Sequence, residues 1–412
     1  MRILILIDDY YPSTRSGAKL VHDLGVQLFQ DGHEVSVVTP SSTVRNELEI
    51  SIEEHLQVVR IKTGKLKDVS RIRRARNEIR LSANLWRRGR RFFQASHFDL
   101  IIYYSPTIFF GRLVERLKLL WGCPAYLVLR DIFPKWAMET GVLRSRILYR
   151  YFRRKELEEY AAADIIGVES AGNLAYFYDE LGFLGCRPEV LANWTSLEEP
   201  AACGGLHRVQ LGLEGKIVFF YGGNIGVAQD MDNILRLAVS LKQYSDIFFL
   251  LVGEGSEVDR LKRYIVEHSL SNIQLLPAVS QKDYLGMARE FDVGIISLHP
   301  DLTSHNLPGK LLGYMSCGMP VLASVNSGND LCRLLEDAHA GLCCANGEDD
   351  KLRQSALRLA QDAELRKIMG INSRRLLQAR FSSRAAANQI ISHFEPREIR
   401  TENRLWVFQQ AG

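Results

Sequence analysis

Short apolar runs alternate with longer amphipathic stretches along almost the whole chain. The first half offers ILILID (3–8), VSVVT (35–39), VVRIK (58–62), LIIYYS (100–105), AYLVLR (125–130) and IIGVES (165–170). These runs are apolar on both faces, as strands covered by helices on either side must be. The pattern restarts with IVFFYGG (217–223), FFLLVG (248–253), IQLLPA (273–278), VGIISLH (293–299), PVLASV (320–325) and GLCCA (341–345). Strand and helix signals in alternation predict parallel α/β sheets. Between the two sets, WTSLEEPAACGGLHRVQLGLEG has no clear period, which places a domain boundary near 195–214. The expected fold is α/β, with two Rossmann-like doubly wound parallel-sheet domains facing a cleft, over 1–195 and 215–380, and a C-terminal helix and polar tail over 381–412. In such folds ligands bind beyond the carboxyl ends of the strands, so the cleft is the expected site.

Composition narrows this only slightly. With 412 residues, 46% hydrophobic and 24% charged, the chain is an ordinary globular one, long enough for two or three cores at roughly 100 to 200 residues each. The net charge of +4 conceals an asymmetry. Arg60 to Tyr160 holds 24 Lys and Arg against 9 Asp and Glu, an excess of 15, so the remainder is net acidic. The 7 cysteines are scattered without a CxxC pair, which implies neither a disulfide framework nor structural zinc and suits a reducing cytoplasm. MRILILIDDYYP is too short for a signal peptide, and no run approaches the ~20 apolar residues of a membrane span. A soluble protein, or one lying on a membrane surface, is expected.

The candidate chemistry lies in loops that follow strands. No GxGxxG follows the first strand, so a nicotinamide fingerprint is missing; Gly17 either lets a ligand approach the helix backbone or is a simple turn glycine. After IVFFY, the residues Gly222, Gly223, Asn224 and Gly226 predict a tight strand-to-helix turn whose N–H groups suit a diphosphate. It is not a Walker A loop. Gly253 and Gly255 repeat the idea more weakly. In HNLPGKLLGYMSCGMPV, Pro308 and Gly309 break the chain and Lys310 stands at a helix start, either reaching phosphate oxygens or exposed to solvent. Asp330 either caps the next helix or accepts from ribose hydroxyls. Asp8 and Asp9 form no DxD motif, and no metal is expected.

These motifs, GGNIG, LVGEG and PGKLLGYMSCGMPV, in tandem α/β halves from Met1 to about Phe394, resemble the retaining glycosyltransferases of family 4, which have the GT-B fold. LRDIFPKWAMETGVL and SAGNLAYF further resemble bacterial O-antigen and capsule enzymes of the N-acetylfucosaminyltransferase type. The resemblance implies transfer of a sugar, an N-acetylated hexosamine or deoxyhexosamine, from a nucleotide diphosphate donor such as a UDP-sugar, with retained configuration and no other cofactor. The family usually sets two glutamates, separated by seven residues, about the donor; here His305 and Gly313 stand in their places. His305 would then face the sugar, Lys310 the phosphate and Asp330 the ribose. Asn224 stands where an Arg is expected. Arg130 falls where the family places a basic His, and Asp131 beside it would orient or deprotonate the acceptor; a strand-end cap is its other reading. The alternatives are a UDP-sugar 2-epimerase of the same architecture and a non-catalytic nucleotide-sugar-binding partner.

RIRRARNEIRLSANLWRRGRRFFQ (71–94) holds nine arginines among apolar residues. Trp86, Arg87, Arg88, Arg90 and Arg91 read as a membrane-surface segment, the bland alternative being a solvated face. Nucleic acid is not expected, since no recognition motif accompanies the charge. The expected acceptor is a polyprenyl-diphosphate-linked saccharide bound by the N-terminal domain at the anionic inner face of the plasma membrane.

Overall fold

The computed structural model describes residues 1–394 apart from 14, 67–68, 140–142, 183–184, 198–205 and 303–306. The first sheet is built from β1 (Arg2–Leu6), β2 (Glu34–Ser41), β3 (Leu48–Glu53), β4 (Leu56–Lys62), β5 (Leu100–Ser105), β6 (Ala125–Leu129), β7 (Ile165–Val168) and β8 (Arg187–Val190). Their spatial order is β3-β4-β2-β1-β5-β6-β7-β8. All neighbours run parallel except β3, which pairs antiparallel with β4. The second sheet holds β9 (Ile217–Gly222), β10 (Ile247–Val252), β11 (Ile273–Leu276), β12 (Val293–Ser297), β13 (Val321–Val325) and β14 (Gly341–Ala345). It is wholly parallel, in the order β11-β10-β9-β12-β13-β14.

Each sheet carries an apolar cluster on both faces, which is why its strands read as continuous hydrophobic runs. The strand order reverses between β1 and β5 in one sheet and between β9 and β12 in the other. Those reversals are the switch points where loops splay apart and leave room for a ligand.

Two strands escaped the apolar pattern, and both are edges. Leu48–Glu53 turns Ile50 and Ile52 outward, and a hairpin through Glu54 and His55, both at positive φ, returns it to β4. Arg187–Val190 is four residues long and contains Pro188, which an edge tolerates.

The last described helix, Ser383–Ile391, leaves the second domain and packs on the first. Ala386, Ala387, Ile390 and Ile391 join the core that holds Ile3, Ile5 and Val21, and each buried isoleucine contributes roughly 1.5–3 kcal/mol. Where the chain crosses between domains, Thr195 N–H donates to Phe381 O and Ser383 N–H to Thr195 O. The polar segment after Phe394 lies outside the described residues.

The cysteine reading needs correction. Cys332, on the helix Asp330–Asp337, is bonded to Cys343 on β14. Their sequence spacing gave no sign of this because the pairing is made by strand and helix lying side by side.

Candidate active site

The two sheets point their carboxyl ends at a cleft of about 1040 Å³. Its C-terminal wall is formed by Gly222, Gly223 and Asn224 after β9, by Gly253 and Glu254 after β10, and by Leu307 to Gly313. Ser16, Lys19 and Asp23 from the helix Ser16–Gln30, with Glu169, Asn193 and Trp194, form the N-terminal wall.

Lys310 opens the helix Lys310–Ser316, and its Nζ lies 3.7 Å from the centre of the Tyr221 ring. Among the described residues no carboxylate meets it. The side chain stays partly open to the cleft, yet the protein packed around the ammonium pushes its pKa down to about 7. Burying a cation without a counter-charge is costly, so the wall carries a site that an anion would complete.

The glycine loops meet the prediction in place but not in manner. Helix Met231–Ser240 starts well after Gly226, behind a short turn over Val227–Gln229, and its first residue follows Asp230. The helix end is therefore not aimed through the glycine loop. The N–H groups of Gly223, Ile225 and Gly226 are already taken by Val252 O, Glu254 O and Gln229 Oε1. Their glycines serve chain-to-chain contact instead: a Cβ on Gly253 would stand 1.9 Å from Gly223 O, and one on Gly255 2.2 Å from Ile225 O. Gly222, Gly223, Asn224, Gly253, Pro308 and Lys310 all line the cleft, whereas Gly226 and Gly255 are not part of its lining. Gly17 is outside the cleft lining, and its missing Cβ makes room for the Tyr104 ring: a Cβ there would stand 2.9 Å from Cε1.

Other expected site residues fall elsewhere. Asn329, not Asp330, caps the helix Asp330–Asp337, accepting from Leu331 N–H at 3.0 Å, and Asp330 is exposed and outside the cleft lining. Asp131 is exposed at the end of β6 and does not line the cleft either. Arg130 does not face a membrane: its guanidinium lies 5.2 Å over Trp194 and donates to Leu129 O and Ala192 O, tying β6 to the crossing segment. His305 lies outside the described residues.

Sequence reasoning passed over Glu169. It follows β7, lines the same cleft as Lys310, and accepts from Asn193 Nδ2 at 2.5 Å. Burial pushes its carboxyl pKa above the usual range, Arg130 opposing the shift. The run IIGVES held this residue at a strand end, but only the fold shows which strand ends reach the cleft. Lys19 and Asp23, bonded at 2.9 Å, looked like any i,i+4 surface pair, yet they too face the cleft.

The structure also accounts for Gly313. The ring of Tyr284 fills the space a side chain there would take: a Cβ on Gly313 would stand 3.1 Å from both Cε1 and Oη, and one on Gly222 2.1 Å from Cε2. Tyr314, whose hydroxyl accepts from Gly222 N–H and donates to Ile295 O, backs the same corner.

On the basic segment, the helical period turns Leu81, Leu85 and Phe93 of the helix Leu81–Ala95 into the core. Trp86 follows them, packed against the core under Arg116 and stacked on Phe93, so it is no membrane anchor. Arg88 donates to Lys62 O, leaving Arg87, Arg90 and Arg91 exposed.

Two parallel α/β domains with a cleft between their carboxyl ends define the GT-B class of fold. Residues 206–376 match the family model "Glycosyl transferases group 1", so the second half carries a glycosyltransferase group 1 domain. The chain is 26% identical over 228 residues to the probable glycosyltransferase WbjE of Pseudomonas aeruginosa, covering 53% of this chain and 55% of that protein. It is 25% identical over 154 residues to the putative colanic acid biosynthesis glycosyl transferase WcaI of Escherichia coli, covering 37% and 38%. The match thus spans about half the length or less of these curated relatives. Among solved structures, sucrose-phosphate synthase of Thermosynechococcus elongatus superposes with a TM-score of 0.64 at 16% identity, covering 95% of this chain and 98% of that one. Anabaena Alr3699/HepE in complex with UDP and glucose gives 0.60 at 17%, covering 95% and 99%. At such identities these two likenesses bear on the fold alone.

Proposed function

We propose that the protein transfers a sugar, with retained configuration, from a nucleoside diphosphate donor to a lipid-linked saccharide acceptor. The observation that carries the reading is Lys310, a cation enclosed without a carboxylate partner among the described residues, on the wall of the switch-point cleft. What supports the class of ligand is the glycosyltransferase domain around it and a structural neighbour in complex with UDP and glucose.

In the proposed reaction the bond from the anomeric carbon to the phosphate oxygen breaks and its electron pair stays on the leaving diphosphate. The acceptor oxygen bonds to that carbon on the same face, and its proton passes to the departing phosphate. Lys310 stabilises the charge that develops on the diphosphate, which is electrostatic preorganisation rather than nucleophilic catalysis. Glu169, steadied by Asn193, takes the acceptor-orienting role first expected of Asp131, because it faces the cleft and Asp131 does not. The exposed arginines of the N-terminal domain hold the protein at the anionic surface that carries the acceptor.

One observation favours a second reading, binding without turnover: the corner at Gly313 is filled by Tyr284 rather than open to a carboxylate. Incubation with radiolabelled UDP-sugars and bacterial membranes separates the possibilities. Labelled lipid supports transfer, a new nucleotide sugar without labelled lipid supports an epimerase, and stabilisation by UDP with neither product supports the binding protein.

A further inference from the structure

A second cavity, of about 320 Å³, lies in the N-terminal domain among the helices Leu81–Ala95, Gly111–Trp121 and Arg146–Ala161. Its apolar wall is Ile79, Ile108, Phe109 and Tyr151, and its rim is Arg112, Arg154 and Lys155. All three cations converge on one carboxylate. Glu158 meets Lys155 Nζ at 2.5 Å, Arg112 Nε at 3.1 Å and Arg154 Nε at 3.4 Å, so the rim keeps two positive charges uncompensated by this cluster.

The surroundings are as unusual. Ile79 on the cavity wall is 50% exposed, and Ile147 and Leu148, a turn before Tyr151, are 79% and 49% exposed. Arg80, Arg146 and Arg150 stand exposed beside them in sequence. Two basic stretches some seventy residues apart in sequence therefore both border this cavity, one through Ile79 and the other through Arg154 and Lys155, and each carries exposed aliphatic and arginine side chains nearby in sequence. Phe109 and Ile108 belong to the loop leaving β5, so the cavity opens at the same end of the sheet as the main cleft. A surface of this make-up suits a ligand that is anionic at one end and apolar at the other.

We propose that this cavity binds the phosphate of an anionic membrane lipid, with Arg112, Arg154 and Lys155 taking the phosphate oxygens and Ile79, Ile147 and Leu148 entering the acyl boundary. The assignment rests on the membrane-facing role given above to the N-terminal domain, and it moves the contact from the outer face of Leu81–Ala95 to the mouth of the cavity. Guanidinium and ammonium groups that share one carboxylate have donors to spare for a lipid phosphodiester, whose two non-bridging oxygens share its negative charge.

The test is sedimentation of the full chain with phosphatidylcholine vesicles containing phosphatidylglycerol, with pure phosphatidylcholine vesicles and inorganic phosphate as further arms. Arg154→Gln with Lys155→Gln removes two charges at about 1 kcal/mol each, so partition onto the anionic vesicles falls about thirtyfold. Arg90→Gln with Arg91→Gln removes two charges outside the cavity and has a clearly smaller effect. Equal losses from the two pairs overturn the cavity in favour of a diffuse basic face. Binding of inorganic phosphate as tight as that of vesicles overturns the lipid assignment. If the wild type ignores anionic vesicles altogether, the membrane reading fails with it. UDP stabilisation, measured on the same samples by thermal shift, reports separately on the donor cleft and stays unchanged in both double variants.

Discussion

Replacing Lys310 with methionine tests the donor site through stability as well as binding. The folded protein holds this lysine at a pKa of about 7 against an ordinary value of 10.5. Each unit corresponds to about 1.4 kcal/mol, so at pH 7 the unliganded fold bears a penalty of up to about 4 kcal/mol, which water in the open cleft reduces to about 2–4. The sign follows from proton counting. Between pH 7 and 10.5 the unfolded chain binds the proton and the folded one has released it, so this lysine makes stability rise with pH across that window; below pH 7 its penalty is constant. Lys310→Met keeps the stem against Tyr221 and removes the charge. The variant therefore melts several degrees higher than the wild type at pH 7 without ligand, at roughly 2–4 °C per kcal/mol for a domain of this size. It also loses the stabilisation that UDP gives the wild type, about 2.7 kcal/mol at a hundred times Kd. The assay is thermal unfolding at pH 7 and pH 9, with and without UDP. A variant less stable than the wild type at pH 7 would refute the uncompensated burial, and an undiminished UDP shift would remove Lys310 from the donor site.

Three further outcomes follow from the same geometry. Glu169→Gln lowers transfer to membrane acceptor by about a hundredfold while leaving the UDP thermal shift intact, whereas Asp131→Asn changes transfer less than threefold; the reverse ranking would restore Asp131 to the acceptor role. Gly313→Glu costs about 1–3 kcal/mol in unfolding free energy because its Cβ meets Tyr284, and Tyr284→Ala in the same chain recovers most of it. Above pH 7 UDP binding takes up a proton as Lys310 regains its charge, so the calorimetric heat at pH 8 depends on the buffer's ionisation enthalpy; heats that are identical in phosphate and Tris contradict the assigned lysine.

The twelve apolar runs foretold twelve of the fourteen strands among the described residues, because a strand buried on both faces has to be apolar at nearly every position. Leu48–Glu53 and Arg187–Val190 were illegible for the complementary reason: an edge strand is wetted on one side and follows no strict pattern. The place of Lys310 at a helix start was legible too, since Pro308 and Gly309 mark a chain break just before it. What sequence could not supply was direction. Trp86, read as an anchor, turns inward because the helix that carries it must bury Leu85 and Phe93, while the missing Cβ of Gly17 and of Gly253 makes room for Tyr104 and for Gly223 O.

By itself, then, the sequence determined the alternating architecture, the two halves and the loops at the carboxyl ends of the second sheet. Local pattern is enough for these, since each depends on neighbours a few residues away. The tertiary structure alone decided that Glu169 lines the same cleft as Lys310 while Asp131 is exposed outside it, that Cys332 meets Cys343, that the final helix returns to the first domain, and that Arg112 and Arg154, from helices distant in sequence, border one cavity. Each of those is a juxtaposition across tens to hundreds of residues, set by strand order and helix packing, and a one-dimensional pattern carries no record of it.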